Sequence, residues 1–250
     1  MNLFVTAVVV CHDADEYFAA TANAVAGQTR RPDHILVIDS GHQNSRAKEI
    51  AQAAGFDYIQ IAEDSTLQES LNAAIDGSNH PGQWLWLLHD DSAPEPTALA
   101  ELISAVELSP SVAIAGPKLV RWQQPRMISQ LGLTLTPANA PFSPIADQFD
   151  QGQHDDIDDV MAVGTAAALI RSDVFEQLGG FDPAAPALAA DIDFSVRARL
   201  AGHRVIVAPK ARVQHAELSL RGQRERRWLG ASPKTALRRA AIHLRFAYGK

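Results

Sequence analysis

Two adjacent carboxylates, Asp90 and Asp91, close the apolar run Trp84-Leu85-Trp86-Leu87-Leu88, with His89 between the run and the pair. Neighbouring acids that ionise together repel unless positive charge lies close, and a divalent metal is one such charge. A polar strand-to-helix loop with Asp91 or Ser92 as a turn or cap residue is the plainer reading, and this stretch alone leaves both open. Other chemistry-bearing residues recur at comparable places. Asp13 and Asp39 each follow an apolar run, and His215 ends the last one. Asp191 and Asp193 fall in the first turn of a helix expected over 191–201, where free amides and the helix dipole favour an ionised carboxylate.

The elements that must position these groups follow from apolar spacing. Residues 3–11, 34–38, 57–61 and 84–88 read as strands, the first and last apolar enough to be buried on both faces. Helical spacing separates them over 14–27, 44–54 and 66–76, and Leu99, Leu102, Ile103 and Val106 mark a fourth helix. Such alternation predicts an α/β fold with a mostly parallel central sheet flanked by helices. Open sheets of this kind bind ligands beyond the carboxyl ends of their strands, which is where Asp13, Asp39, His89, Asp90 and Asp91 fall. The second half is less regular: strands over 112–116 and 131–136, a helix over 172–178, and two strands over 204–208 and 211–215. Residues 137–159, with three prolines and six aspartates, read as a long solvated loop rather than a metal site.

Composition narrows the function. An apolar fraction of 46% suits a globular core, and the single Cys11 excludes an intrachain disulfide and suits a reducing compartment. Neither a signal peptide nor an apolar run long enough to span a bilayer is evident. From Arg221 onward nine Lys/Arg face one acid, a balance of +8, whereas the 13 basic and 28 acidic residues before it leave −15. The acidic body argues against a nucleic-acid partner, and the basic tail is a candidate for contact with an anionic membrane surface. Ser232-Pro233 opens a helix there, with Leu237, Ala241, Leu244 and Tyr248 on one face, able to lie on a membrane or to pack on the chain's own acidic body. The absence of G-x-G-x-x-G and of the phosphate-binding G-x-x-x-x-G-K-[ST] disfavours a dinucleotide enzyme and a P-loop phosphohydrolase. A nucleotidyltransferase is disfavoured too, because the first strand lacks a glycine-rich loop after it.

Four ordered segments resemble the family-2 inverting glycosyltransferases of GT-A fold. They are Val8-Val9-Val10-Cys11-His12-Asp13 with Gln28 and Ile38-Asp39-Ser40-Gly41; Leu88-His89-Asp90-Asp91-Ser92 at the D-x-D position; Val163-Gly164-Thr165 through Leu178-Gly179-Gly180-Phe181-Asp182; and Asp191-Ile192-Asp193-Phe194-Ser195-Val196-Arg197 with His215 beyond. The likeness is greatest to actinobacterial members in which such a domain heads a larger membrane protein. Gln223 to Trp228 has one residue too many for the Q-x-x-R-W of processive synthases and is not counted.

The resemblance implies a domain over 1–216, with a nucleotide-binding half (1–110) and an acceptor half (111–216), followed by a basic helical tail (217–250). It implies a hexosyltransferase-type, inverting, cell-envelope enzyme in the cytoplasm at the inner face of the membrane. A nucleotide-diphosphate sugar would be the donor and a glycan or lipid-linked molecule the acceptor. Asp13, Asp39, Asp90 and Asp91 would bind the donor, although Asp13 is equally placed to cap the helix after it. Asp91 and His215, with His89, would hold Mn²⁺ or Mg²⁺. Asp191 would be the general base, Asp193 an orienting residue, and Gly180, Phe181 and Asp182 would shape the acceptor side. Two departures, His89 at the first D-x-D position and Ala190 before Asp191, motivate an alternative: a catalytically silent GT-A-like binding or assembly module.

Overall fold

Alternating side chains along the inner strands divide the core between the two faces of one sheet. On the first strand Val5, Ala7, Val9 and Cys11 enter one apolar cluster and Val8 and Val10 the other; on the fourth, Trp84, Trp86 and Leu88 oppose Leu85 and Leu87. Strands buried on both faces need no polar side, which is why these runs are unbroken. The computed structural model describes residues 3–12, 15–41, 46–63, 65–76, 83–224, 229 and 231–249. Asp13 therefore lies outside the described residues.

Among the described residues the chain proceeds as β1 (Val5–Cys11), α1 (Asp15–Ala26), β2 (His34–Asp39), α2 (Ala47–Ala54), β3 (Asp57–Gln60), α3 (Leu67–Asp76), β4 (Trp84–His89), β5 (Ser92–Pro94), α4 (Ala98–Glu107), β6 (Val112–Arg121), β7 (Gln124–Gln130), β8 (Thr134–Leu135), β9 (Pro141–Phe142), β10 (Gln148–Phe149), β11 (Leu169–Arg171), α5 (Ser172–Gln177), α6 (Ala187–Leu200), β12 (Arg204–His215) and α7 (Pro233–Tyr248). The main sheet runs β10-β7-β6-β11-β4-β1-β2-β3, and β12 pairs with β6 and β5. β3, β2, β1 and β4 are parallel, as expected, while β11 enters antiparallel between β4 and β6. The sheet is thus mixed, and the end of β12 lies between β6 and β5, paired with both over residues 213–215.

Four expectations are corrected. The strand placed over 131–136 shrinks to the two-residue β8, and a strand not expected before it, β7, returns from β6 through the two residues Trp122 and Gln123. Exposed Gln124, Pro125 and Arg126 had hidden β7 from an apolar search. The strands expected at 204–208 and 211–215 are one, whose register slips between Ala208 and Arg212, the interval that holds Pro209. A bulge there spares the ladder the amide that proline lacks.

The acidic loop is not merely solvated. Lys118, with a side chain only 3% exposed, donates to Asp150 and Asp155. Arg212 binds Asp150 and Glu95, and Arg199 and Arg204 hold Asp159. Finally, α6 begins at Ala187, so Asp191 sits in its second turn and gains nothing from the helix start.

The tail helix packs on the body, one of the two placements open to it. Ser232 caps α7 by accepting from the Thr235 amide, and Ala236, Ala240 and Leu244 are buried against α6. Leu237, assigned to that face by spacing, is 39% exposed.

The Gly179-Gly180 turn fixes where α6 starts. Both glycines have φ near +70°, at 71° and 72°. A Cβ on Gly179 would meet nothing within 4 Å, whereas one on Gly180 would lie 2.5 Å from Asn72 Oδ1 and 3.1 Å from the Phe175 ring. Gly179→Ala is expected to cost about 1 kcal/mol for the left-handed backbone, and Gly180→Ala about 2–4 kcal/mol because crowding adds to it. Urea unfolding of the two variants measures the difference.

Candidate active site

Three elements bring the predicted residues together at the carboxyl end of β4. β4 stops at His89, and the Asp90 amide still donates to Val10 of β1, 3.0 Å away, so the two acids project from the very edge of the sheet. β12 runs antiparallel to β5 with His215 opposite Ser92, which brings the histidine beside Asp91 although the two are remote in sequence. His215 Nε2 lies 3.4 Å from Asp91 Oδ1. The His89 and His215 rings meet edge to face, 5.7 Å between centroids. Ligand atoms of His89, Asp91 and His215 all fall within 4.8 Å of one another.

The two carboxylates are treated differently. Asp91 Oδ2 accepts from the Leu218 amide at 2.9 Å, leaving Oδ1 toward His215 and Arg224. Burial opposes its charge, but His215 and Arg224 outweigh that and hold its pKa well below the usual carboxylate range. Asp90 is fully buried. Both its oxygens accept from Arg224, and Oδ2 also accepts from the His12 amide at 2.7 Å. Burial pushes its pKa up, and Arg224 pulls against that. Arg224 itself is 4% exposed and donates to the His12 carbonyl at 2.6 Å. Asp90 is absent from the cavity lining, so in this structure its partner is Arg224.

The cavity is lined by His89, Asp91, Thr165, Asp191, His215 and Glu217 on its polar side and by Leu119, Ala166, Leu188, Leu220 and Leu229 on its apolar side, with a volume of about 100 Å³. That is room for the reacting end of a ligand. Thr165 lies close enough to Asp191 to favour its charged form, and Asp191 Oδ1 is buried with no hydrogen-bond partner among the described residues. Burial pushes its pKa up to about 6, with the Thr165 bonds pulling it down. The Thr165 hydroxyl is also 3.0 Å from His89 Nε2. Burial drives His89 down to about 3, so it is neutral at physiological pH.

Other predicted residues act at a distance. Asp39, 1% exposed at the end of β2, accepts from the Gly41 amide and the Tyr58 hydroxyl, both at 2.8 Å, and does not line the cavity. Asp193 binds Arg197 and accepts from the Tyr248 hydroxyl. Gly180, Phe181 and Asp182 also lie off the cavity wall. Phe181 stacks with Phe175 and Phe194 and is bonded through its backbone to Asn72, Arg197 holds the Gly180 carbonyl, and Asp182 caps the Ala184 amide. Ala190 is buried in the apolar cluster beneath α6, so the missing acid there removes no group from the cavity.

Sequence reasoning missed Arg224 and assigned no role to Thr165. The one available signal for Arg224 was the pair itself: two buried acids require a cation, and the first arginines after the last strand begin at 221 and 224.

The chain matches the sequence model of the family "Glycosyltransferase like family 2" over residues 2–236 and belongs to that family. It is 26% identical over 129 residues to galactofuranosyltransferase GlfT1 of Mycolicibacterium smegmatis, covering 50% of this chain and 42% of that one. It is 24% identical over 227 residues to the O-antigen biosynthesis protein RfbC of Myxococcus xanthus, covering 87% of this chain and 18% of that one. The chain thus spans less than half the length of these curated relatives. Among solved structures it is similar to GalNAc-T7 crystallised with UDP, GalNAc and Mn²⁺, with a TM-score of 0.72 at 16% identity over 97% of this chain and 48% of that one. It is also similar to S. aureus TarS, with a TM-score of 0.59 at 13% identity over 87% of this chain and 37% of that one. These likenesses establish the GT-A fold, a curled α/β sheet with a C-terminal helix.

Removing one member of the Arg224–Asp90 pair leaves the other charge buried. Arg224→Leu is expected to destabilise the chain by about 3–5 kcal/mol. Adding Asp90→Asn should recover part of that loss in urea denaturation, whereas strictly additive losses would show that the pair is not coupled.

Proposed function

We propose that this chain transfers a sugar from a nucleotide-diphosphate sugar to a glycan or lipid-linked acceptor with inversion, assisted by a divalent cation. The observation that carries the reading is the convergence on one cavity of His89, Asp91 and His215 with Asp191, whose free oxygen faces no competing donor. The names of the GlfT1 and RfbC relatives, and the UDP and Mn²⁺ bound in GalNAc-T7, point the same way.

The donor set fits a cation. Its three ligand atoms are close enough to share one ion, and His89 is neutral. Two imidazoles with one carboxylate favour Mn²⁺ over Mg²⁺. A bound cation would offset charge on the departing nucleoside diphosphate. His215 is held above its usual pKa: burial lowers it, but the Asp91 carboxylate more than compensates. Binding the cation would therefore compete with protonation of His215, and affinity falls as pH falls.

Asp191 would accept the proton of the attacking acceptor hydroxyl through its buried Oδ1. Asp39, with Asp90 and Asp13, serves the donor side: Asp39 at the ribose, Asp90 by anchoring the segment that holds Asp91. Gly180, Phe181 and Asp182 serve the acceptor side by bracing α6. A cytoplasmic setting at the inner face of a membrane suits a lipid-linked acceptor.

Isothermal titration with UDP, GDP and dTDP, each with Mn²⁺, tests the donor site. One of them should bind, and Asp91→Ala should abolish the Mn²⁺-dependent part; no binding by any would sink the assignment. For the base, Asp191→Asn is expected to lower transfer about 10²–10⁴-fold with nucleotide binding intact. A base must be deprotonated to act, so kcat/KM should be level above Asp191's pKa of about 6 and fall about tenfold per pH unit below it. Transfer that is unchanged in the variant would remove Asp191 as the base, and no transfer or donor hydrolysis by the unaltered chain would favour the silent binding module.

A further inference from the structure

The outward face of α7 combines features that the packing of its inner face leaves unexplained. Ala236, Ala240 and Leu244 face the body, and at 100° per residue the opposite side carries Arg238, Ile242, Arg245 and Phe246. Ile242 is 57% exposed and Phe246 is 86% exposed, two large apolar side chains one turn apart. Arg238, Arg239 and Arg245 are all exposed around them. No Asp or Glu occurs from residue 231 to the end of the sequence, in contrast to the acidic body.

We propose that this face of α7, centred on Ile242 and Phe246 and flanked by Arg238, Arg239 and Arg245, docks on an anionic phospholipid bilayer. An aromatic and an aliphatic side chain can enter the boundary between headgroups and acyl chains while neighbouring arginines meet lipid phosphates. Charge complementarity selects this occupant. A symmetric pairing of two copies through the same face would set arginines against arginines. The helix lies along the surface: among the described residues, no helix is long and apolar enough to cross a membrane.

The placement deepens the transferase reading, on which this one point rests. α7 packs directly on α6, the helix that carries Asp191, and Leu188 both lines the cavity and joins the cluster around Ala240 and Leu244. A bilayer on the outer face of α7 would therefore lie one helix from the cavity, within reach of an acceptor whose lipid remains in the membrane.

Co-sedimentation of the full chain with vesicles tests the surface, using phosphatidylcholine alone and phosphatidylcholine mixed with phosphatidylglycerol. Binding is expected only with the anionic vesicles, and it should weaken as salt rises. Phe246→Glu should weaken it at least about tenfold. The combined Arg238→Gln, Arg239→Gln and Arg245→Gln variant should weaken it about a hundredfold, at about fivefold for each basic residue near the surface. Circular dichroism and urea unfolding verify that each variant is folded, and two independent variant sets guard against loss of one. No binding to anionic vesicles overturns the proposal, as does undiminished binding by both sets. A concentration-dependent dimer dispersed by Phe246→Glu, seen in sedimentation velocity, would assign the face to a second copy and overturn it as well. Nucleotide titration is read separately, so a failed donor site and a failed membrane surface remain distinguishable.

Discussion

Two carboxylates side by side at the end of a buried strand are tolerable only if positive charge reaches both. Here it arrives from two directions. His215, at the end of β12, lies against Asp91, and Arg224, from the segment beyond that strand, takes both oxygens of Asp90. Desolvating the pair would otherwise cost several kcal/mol per charge. The compensation depends on β12, whose end pairs with both β6 and β5, and on the chain after it, which folds back over the sheet edge to the His12 carbonyl.

Once the pair is compensated, the remaining groups sort by what their partners leave free. Asp90 is saturated by Arg224 and His12 and has no oxygen to offer. Asp91 keeps one oxygen toward the imidazoles. Asp191 keeps one with no donor among the described residues, and burial raises its pKa to about 6. Thr165 is hydrogen-bonded to His89 and shares the cavity wall with Asp191. The glycine turn, Phe181 and Arg197 contribute no group to the cavity, yet they set the position of α6 and hence of Asp191.

The strand-end acids were legible because apolar runs reveal buried parallel strands, and the ends of those strands lie at one edge. Helices α1 to α4 followed from the same spacing. β7 was not legible, since a strand with an exposed polar face lacks the apolar run that marks an inner strand. The start of α6 was misplaced because alanines and prolines from 183 to 190 show no amphipathic period, and that shift moved Asp191 from a stabilising helix start into a buried second turn. The acidic loop resembled a hydrated tract because its cations, Lys118, Arg199, Arg204 and Arg212, come from other segments.

What the sequence by itself determined is the alternating α/β order, the edge on which the acids gather and, through four ordered motifs, the family. Periodicity and motifs are local, so they survive without coordinates. The tertiary structure alone decided that Asp90 is held by Arg224 away from the cavity while Asp91 lines it. It also decided that His215 meets Asp91, and that Asp191 is raised by burial rather than lowered by a helix dipole. These are questions of charge compensation through space, between residues as far apart as Asp90 and Arg224, and no pattern along the chain encodes them.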